Sequence, residues 1–281
     1  MNKLALGTVQ FGLDYGVTNA SGKVPLSEVE KILKLTREND INTLDTASGY
    51  GDSEQVLGNV GVNGFDIVTK TTPLESGVGR VLHSFNQSLK HLKVSKVDGL
   101  LVHNMNDVEL PQFETLYKEL YALKQDGVIN KIGFSTYTPE QVDFLLNYFD
   151  FDLIQAPFNV FDTRLLDGGQ LRSLKNAGVE VHARSVFLQG LLLNFNDLPD
   201  YFLPWKSEFQ HYQKNVKNSG LSLLKYALNF ALETQEINKI LIGVENVSQL
   251  REIVDSVERG RKLQAHPIAD LSLLNPSLWR I

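Results

Sequence analysis

The sequence predicts an α/β fold: a single (β/α)8 barrel of the TIM type that spans residues 1–281 as one domain. Short apolar segments rich in β-branched residues alternate with amphipathic stretches, as expected for parallel strands separated by helices. Eight such pairs occur, and successive strand ends lie about 30 residues apart, which is the length of a βαβ unit. Eight pairs favour a closed barrel over an open sheet.

The candidate strands are brief and do not alternate regularly between apolar and polar residues. This pattern is typical of strands that are buried on both faces, as the strands of a parallel barrel are. We expect the eight strands at residues 4–7, 42–45, 66–69, 99–102, 131–134, 153–156, 180–183 and 239–242.

Three of the intervening helices carry recognisable start signals. Ser27 and Glu30 form a Ser-x-x-Glu capping box. Thr138 followed by Pro139 supplies an N-cap residue and a proline in the first turn. Ser248 precedes the apolar stripe of the last large helix and is expected to begin it.

Two segments do not fit the repeating unit. The interval after strand seven is longer than the others by roughly one βαβ unit, which predicts a long loop over residues 189–220 that contains Trp205. The chain after residue 266 is a non-repeating tail that contains Trp279. Because long loops at a barrel mouth are usually functional, we expect residues 187–205 and the tail to cover the mouth and to supply pocket walls.

Composition excludes several classes of partner and site. The net charge of −6 gives no basic surface for nucleic acid. The sequence has no cysteine, so disulfides, thiolate metal sites and cysteine nucleophiles are excluded. No apolar run approaches the length of a bilayer span, and the first seven residues lack the pattern of a secretory signal. We therefore expect a cytoplasmic protein with no membrane partner, and the sequence leaves its oligomeric state open.

The ends of the predicted strands are where a barrel of this type carries its chemistry. The set contains one carboxylate, whereas glycosidases need two, and it lacks a group of metal ligands, so no metal is expected. The residues at these ends are Thr8, Asp45, Lys70, His103, Ser135, Gln155, Arg184 and Gly243.

Four residues in and beside this set can form a proton donor. Tyr50 lies five residues after Asp45, and a phenol has an ordinary pKa of about 10. An ammonium such as that of Lys70 favours the phenolate and is expected to lower this pKa, and a carboxylate holds the ammonium in place. His103 can orient a carbonyl oxygen or relay a proton. Together these groups suit protonation of an oxygen that becomes an alkoxide when hydride arrives.

The order of these residues resembles the active-site series of the aldo-keto reductases. Asp-Thr-Ala-x-x-Tyr-Gly-x-Ser-Glu at residues 45–54 is followed by Val-Thr-Lys at 68–70 and Val-His at 102–103. The resemblance extends from residue 6 to residue 250. It implies an NAD(P)(H)-dependent oxidoreductase that transfers a hydride between nicotinamide and an aldehyde, ketone or sugar. It further implies a catalytic tetrad, with Tyr50 as the general acid, that consists of Asp45, Tyr50, Lys70 and His103.

No Gly-x-Gly-x-x-Gly motif follows a strand, so a Rossmann crevice is not expected. The resemblance implies instead that NADP(H) or NAD(H) lies extended across the barrel mouth, with the nicotinamide carboxamide held by Ser135 and Gln155. By the same resemblance the cofactor contacts are Gly7, Thr8, Asp45, Ser135, Gln155, Arg184, Ser185, Leu188, Gly190, Gly243, Glu245 and Gln249.

Three positions depart from the pattern of the family. Thr136 stands where an asparagine usually helps to hold the carboxamide. Arg184 replaces the aromatic residue that stacks on the nicotinamide, although a guanidinium plane can also stack on a ring. Glu245 stands near the place where NADP-preferring members carry a basic residue. A carboxylate repels a 2′-phosphate and can accept from ribose hydroxyls, so the sequence favours NAD(H) or dual use.

Two other functions use the same residues. One is a cofactor-binding regulatory subunit without turnover, which the presence of all four tetrad residues argues against. The other is a Schiff-base lyase that uses Lys70, which the neighbouring Asp45 disfavours because it keeps the amine charged. Aromatic side chains beside polar groups in the expected pocket suit a sugar or hydroxy-aldehyde as well as other carbonyl substrates.

Overall fold

The computed structural model describes residues 2–17, 19, 21–196, 198–258 and 260–280. All of its barrel strands are parallel and close in sequence order, with the last strand hydrogen-bonded to the first. The strands are β1 (Leu4–Gly7), β2 (Thr43–Asp45), β3 (Asp66–Lys70), β4 (Val97–Val102), β5 (Ile129–Ser135), β6 (Leu153–Pro157), β7 (Glu180–Arg184) and β8 (Lys239–Gly243).

The eight predicted strands are confirmed, with their ends moved by one or two residues. The register aligns the carboxyl ends along one rim of the barrel. Gly7 pairs with Asp45 on one side and with Gly243 on the other, and Ser135 pairs with Gln155. The side chains at these ends therefore surround one mouth, which is where barrel enzymes carry their chemistry.

Helices follow the strands and form the outer layer, as expected for a (β/α)8 barrel. Within the described ranges, no helix is both long enough and apolar enough to cross a bilayer. The helices are α1 (Leu26–Glu38), α2 (Ser53–Val60), α3 (Val78–Leu92), α4 (Phe113–Gln125), α5 (Pro139–Tyr148), α6 (Arg164–Asp167), α7 (Gln170–Asn176), α8 (Lys206–Ser219), α9 (Leu223–Glu233), α10 (Val247–Asp255) and α11 (Leu271–Leu274).

Two of the helix starts that face the mouth are fixed by side-chain caps. The Thr138 hydroxyl accepts from the Gln141 backbone N–H at 3.3 Å, which confirms the predicted start of α5. Helix α10 begins earlier than predicted, because the Asn246 side chain accepts from the Gln249 N–H at 2.9 Å. Ser248 therefore lies inside the first turn and not at its cap.

The start of α1 differs from the capping-box prediction. The carbonyl of Pro25 accepts from the backbone N–H groups of Glu28 and Val29, at 2.9 and 3.0 Å. Pro25 is therefore the N-cap residue, and the helix begins at Leu26 without a side-chain cap. Ser27 lies two residues after this position and therefore cannot serve as the cap.

The interior of the barrel is filled with side chains. Val68, Leu101 and Leu153 form a separate buried cluster, distinct from the larger apolar layer between strands and helices. A Cβ atom at Gly133 would collide with the carbonyl oxygen of Leu153, so only glycine fits there. The filled centre restricts ligands to the open mouth of the barrel.

The segment after β7 is more ordered than the predicted loop. Residues 206–219 form helix α8, whose Phe209, Tyr212 and Val216 lie on one face and are buried. This spacing is that of an amphipathic helix. The prediction of a loop was wrong here because the polar residues between these three positions obscured their helical spacing.

The C-terminal tail lies at the mouth side of the barrel, as predicted. The backbone N–H of His266 donates to the Val160 carbonyl at 2.7 Å, and that of Ile268 donates to the Phe161 carbonyl at 2.9 Å. Residues 160 and 161 belong to the loop that follows β6. The tail is therefore held against a loop of the mouth.

The two tryptophans join the tail to the segment after β7. Trp205 donates from Nε1 to the Asp270 carboxylate at 3.2 Å. The Trp279 ring meets the Phe202 ring edge-on, with 5.0 Å between ring centroids. The expectation that these indoles form pocket walls was wrong, because each is used to fix the tail and neither lines the cavity described below.

Candidate active site

A buried ion pair joins the ends of β2 and β3. The Lys70 ammonium lies 2.7 and 2.9 Å from the two carboxylate oxygens of Asp45, and 2.8 Å from the carbonyl oxygen of Thr46. Lys70 is 2% exposed and Asp45 is 3% exposed. The register that places residue 45 beside β3 brings these charges together from positions 25 residues apart.

The pair keeps Lys70 charged. Burial alone would lower the pKa of the Lys70 ammonium, but the attraction of Asp45 and the contact with Tyr50 outweigh burial and raise this pKa above its ordinary value. The ammonium is therefore a fixed positive charge beneath the cavity.

Tyr50 lies in the turn between β2 and α2, directly beside this ammonium. The Lys70 nitrogen is 4.9 Å from the centroid of the Tyr50 ring. The turn depends on Gly51, whose φ of 57° is in the left-handed region and whose Cβ position faces the carbonyl oxygen of Gly12. Only glycine fits both conditions, so the residue after Tyr50 helps to aim the phenol.

The pKa of Tyr50 moves in the direction opposite to the expectation from sequence. Burial raises the pKa of the phenol, and this effect exceeds the lowering by the ammonium of Lys70 and the guanidinium of Arg184. The expectation considered only the neighbouring charge, whereas desolvation favours the neutral phenol more strongly. Tyr50 therefore carries its proton at neutral pH.

His103 follows β4 and completes the group. Its ring meets the Tyr50 ring edge-on at 6.2 Å between centroids. Burial, with a further contribution from the Lys70 charge, lowers the pKa of the His103 imidazole to about 4. The imidazole is therefore neutral at physiological pH and can donate or accept a hydrogen bond without carrying charge.

The lowered pKa of His103 predicts a pH-dependent stability. Between about pH 4 and pH 6.5 the unfolded chain binds a proton at this histidine that the folded chain does not. The free energy of unfolding should therefore rise with pH across this window and gain nothing from His103 above it. Urea unfolding at several pH values, with His103→Gln as the comparison, measures the contribution. Below pH 6.5, the slope of unfolding free energy against pH should differ between the two proteins. Parallel curves would contradict a lowered pKa of His103 in the folded protein.

A cavity of about 540 Å³ opens at the barrel mouth above these residues. Tyr50, His103 and Asp45 line it, whereas Lys70 lies just beneath its wall. Of the predicted cofactor residues, Leu188 does not reach it. Those that line it are Gly7, Thr8, Asp45, Ser135, Gln155, Arg184, Ser185, Gly190, Gly243, Glu245 and Gln249.

The side chains of Gln155 and Thr8 use part of their hydrogen-bonding capacity within the protein. Gln155 donates from Nε2 to the Asp45 carboxylate at 2.7 Å, and among the described residues its Oε1 has no donor. Thr8 donates from its hydroxyl to the Asp45 carbonyl and accepts from the Ser53 hydroxyl, both at 2.9 Å. Gln155 thus retains an acceptor for a ligand, while Thr8 mainly fixes the end of β1.

The turn after β7 has an unusual backbone. Ser185, Leu188, Gln189 and Gly190 all have positive φ, between 48° and 89°. The Leu188 side chain is fully buried, and its N–H donates to the Ser185 carbonyl at 2.9 Å. This buried position explains why Leu188 is absent from the cavity wall. The exposed part of the turn, at residues 185 and 189–190, faces the cavity.

Part of the cavity wall is acidic. Glu245 lines it just before α10, and Gln249 and Glu252 line it from within that helix. Gln249 accepts on Oε1 from the Glu245 backbone N–H at 2.7 Å. Glu28 of α1 accepts from the Val247 N–H at 2.8 Å, so a carboxylate already occupies part of this helix N-terminus.

Among the cavity residues that sequence reasoning missed are three polar side chains. Tyr15 reaches across from the loop after β1, where its hydroxyl accepts from Nε2 of Gln189 at 3.1 Å. Tyr137 follows β5 and lies under the guanidinium of Arg184. Glu252 lies one helical turn after Gln249, and this i,i+3 spacing is a signal that could have found it. The positions of Tyr15 and Tyr137 depend on loop conformation and carried no such signal.

The chain is similar to known proteins over most of its length. The chain is 30% identical over 249 residues to an L-galactose dehydrogenase from Arabidopsis thaliana, covering 77% of this chain and 74% of that protein. It is 25% identical over 287 residues to a D-arabinose 1-dehydrogenase from Saccharomyces cerevisiae, covering 92% and 83%.

Solved structures share the fold. A holo-form aldo-keto reductase from Bacillus halodurans superposes with a TM-score of 0.76 at 20% identity, over 92% of this chain and 87% of that one. A glycerol dehydrogenase from Gluconobacter oxydans gives a TM-score of 0.73 at 22% identity, over 93% and 88%. The sequence profile of the aldo/keto reductase family matches residues 3–273. With this match over nearly its whole length, the chain belongs to the aldo/keto reductase family.

Proposed function

We propose that the protein is an NAD(P)(H)-dependent oxidoreductase that transfers a hydride between nicotinamide and the carbonyl or alcohol carbon of an aldehyde, ketone or sugar. The observation that carries this proposal is the buried Lys70–Asp45 pair, which lies against the protonated Tyr50 phenol in the wall of the cavity. A phenol supported by a fixed cation is suited to protonate an oxygen on which negative charge develops.

The cavity wall carries hydrogen-bonding groups that suit a nicotinamide cofactor. Oε1 of Gln155 can accept from a carboxamide N–H, and the nearby Ser135 hydroxyl can donate to its carbonyl oxygen. Gly190 lets the backbone approach a phosphate closely. When bound, the cofactor supplies or accepts the hydride, and the protein orients it.

Each residue of the group then has one role in carbonyl reduction. Tyr50 donates its phenolic proton to the carbonyl oxygen as that oxygen becomes an alkoxide, and is left as a phenolate. Lys70 stabilises the phenolate, and Asp45 holds Lys70 in place. The neutral imidazole of His103 donates a hydrogen bond that orients the carbonyl oxygen. In alcohol oxidation the same groups return the proton by the reverse path.

The acidic part of the cavity wall supports a preference for NAD(H) over NADP(H). Glu245 and Glu252 line the wall there, and the Val247 N–H already donates a hydrogen bond to the Glu28 carboxylate. A 2′-phosphate at this place would meet carboxylates, whereas ribose hydroxyls can donate to them. The expected cytoplasmic location and the absence of a nucleic-acid partner remain predictions from composition.

Replacing Glu245 with arginine tests the cofactor preference. We expect Glu245→Arg to increase the affinity for NADPH about tenfold or more relative to NADH, because a repulsive carboxylate becomes a phosphate-pairing guanidinium. Fluorescence titration measures both dissociation constants, and Glu119→Arg, the same charge change on the exposed face of α4, is the control. An unchanged ratio in Glu245→Arg would show that the 2′ position lies elsewhere.

A carbonyl and alcohol screen tests the reaction itself. The two dehydrogenases named above act, by their names, on L-galactose and D-arabinose, so aldoses are the first substrates to try. We expect a stoichiometric change in nicotinamide absorbance with at least one member of the panel. Cofactor binding without turnover across aldoses, aldehydes and ketones would instead favour the regulatory subunit. The Schiff-base alternative is disfavoured because Lys70 is fully engaged and charged.

A further inference from the structure

Arg184 places a positive charge in the cavity wall without a carboxylate to balance it. Its guanidinium donates to the Thr136 carbonyl at 2.9 Å and to the Ser185 hydroxyl at 3.4 Å. Both partners are neutral, and Arg184 forms no ion pair with any residue that the structure describes. The guanidinium therefore contributes to this part of the wall a positive charge that no neighbouring carboxylate pairs with.

The guanidinium is held in one orientation. It stacks on the Tyr137 ring, with 4.1 Å from its central carbon to the ring centroid, and the bond to Thr136 fixes its edge. The two contacts restrain the guanidinium at its face and at its edge.

The charge lies at the reacting end of the cavity. Arg184 ends β7, which pairs with the strand that carries Gln155, and its bond partner Thr136 is the neighbour of Ser135. Arg184 lines the same cavity as Tyr50 and His103, and its charge favours the deprotonated form of each by lowering its pKa. Glu245, Gln249 and Glu252 line the part of the cavity beside α10. Because hydride must pass to a carbon beside the Tyr50 phenol, the nicotinamide ring has to lie at the Arg184 end.

From this position we infer that Arg184 makes the protein distinguish the two redox states of its cofactor, so that the reduced dinucleotide binds more tightly than the oxidised one. The inference rests on the proposed function. The oxidised nicotinamide ring carries a positive charge and the reduced ring is neutral, so the guanidinium repels only the oxidised form. The phosphates and the adenosine are the same in both forms and cancel in the ratio of affinities.

This discrimination favours carbonyl reduction in the cell. When both forms are present, the reduced cofactor occupies the site, and the oxidised cofactor leaves readily after each hydride transfer. Inhibition by the oxidised product is correspondingly weak. In the opposite direction the product is the tightly bound form, so its release limits alcohol oxidation.

The test is to measure dissociation constants for the reduced and oxidised forms of one cofactor with the full-length protein. Fluorescence titration serves for the reduced form and calorimetry for both. Arg184→Gln removes the charge and keeps a hydrogen-bonding side chain, while Arg184→Lys keeps the charge and loses the planar stack. Arg172→Gln, on the exposed face of α7, removes one positive charge far from the cavity and controls for net charge.

We expect wild type, Arg184→Lys and Arg172→Gln to bind the reduced form preferentially. In Arg184→Gln the ratio of the oxidised to the reduced dissociation constant should fall roughly tenfold, through tighter binding of the oxidised form. An unchanged ratio would overturn the inference alone. Equal weakening of both forms would overturn it as well, because it would assign Arg184 to the phosphates. Absence of any cofactor binding by the wild type would overturn the proposed function and this inference together.

Discussion

Tyr50→Phe should lower the turnover number by about 10²–10⁴-fold while leaving the affinity for the reduced cofactor unchanged. The substitution removes the hydroxyl and keeps the ring, which is 6.2 Å from His103 and 4.9 Å from the Lys70 nitrogen. The pKa of Tyr50 is raised by burial, so the wild-type phenol holds the proton that the variant cannot supply. Steady-state rates with the best substrate of the screen, together with cofactor titrations, measure both quantities.

A matched control for this prediction is Tyr121→Phe, which removes a hydroxyl from an exposed tyrosine of α4 outside the cavity. It should retain wild-type turnover. Near-normal turnover in Tyr50→Phe would mean that another group donates the proton. Loss of cofactor affinity in step with turnover would instead mean that the phenol contributes to binding and not to proton transfer.

Lys70→Met should have the second large effect, on stability as well as on activity. It leaves the Asp45 carboxylate buried and, among the described residues, with only the Gln155 amide still donating to it. Removing one partner of a buried pair costs about 3–5 kcal/mol of unfolding free energy. Turnover should also be lost, because the phenolate formed by Tyr50 would have no cation beside it. Urea unfolding and steady-state rates measure the two effects separately.

The double variant Asp45→Asn with Lys70→Met separates stability from chemistry. It removes both charges, so most of the lost stability should return, whereas turnover should stay absent. If Lys70→Met alone unfolds at the wild-type urea concentration, the pair is not a desolvated ion pair. If the double variant regains activity, the ammonium has no role in the reaction.

The barrel could be predicted because its signals are local and repeated. Each strand is a short apolar run and each helix an amphipathic one, so eight units in sequence specify the topology without knowledge of distant contacts. The proximity of the predicted tetrad residues could be anticipated for a related reason. Asp45, Lys70 and His103 are at or directly after strand ends, and parallel register brings such ends to one rim.

The properties that sequence reasoning missed are those that depend on burial and loop conformation. The direction of the Tyr50 pKa depends on how much water the folded cavity excludes, which no neighbouring residue reveals. Leu188 occupies a predicted cofactor position but faces the core, because the turn after β7 has positive φ at residue 188. The contact of Arg184 with the Tyr137 ring joins the end of β7 to the loop after β5, which is far away in sequence.

A crystal structure of the protein with reduced NAD would decide whether a nicotinamide ring lies beside the Tyr50 phenol inside the mouth of this barrel. We expect the carboxamide on Ser135 and Gln155, the ring beside Arg184, and its reactive carbon facing the Tyr50 hydroxyl with room for one carbonyl group between them. A dinucleotide bound outside the cavity, or one whose ring is turned away from Tyr50, would contradict it.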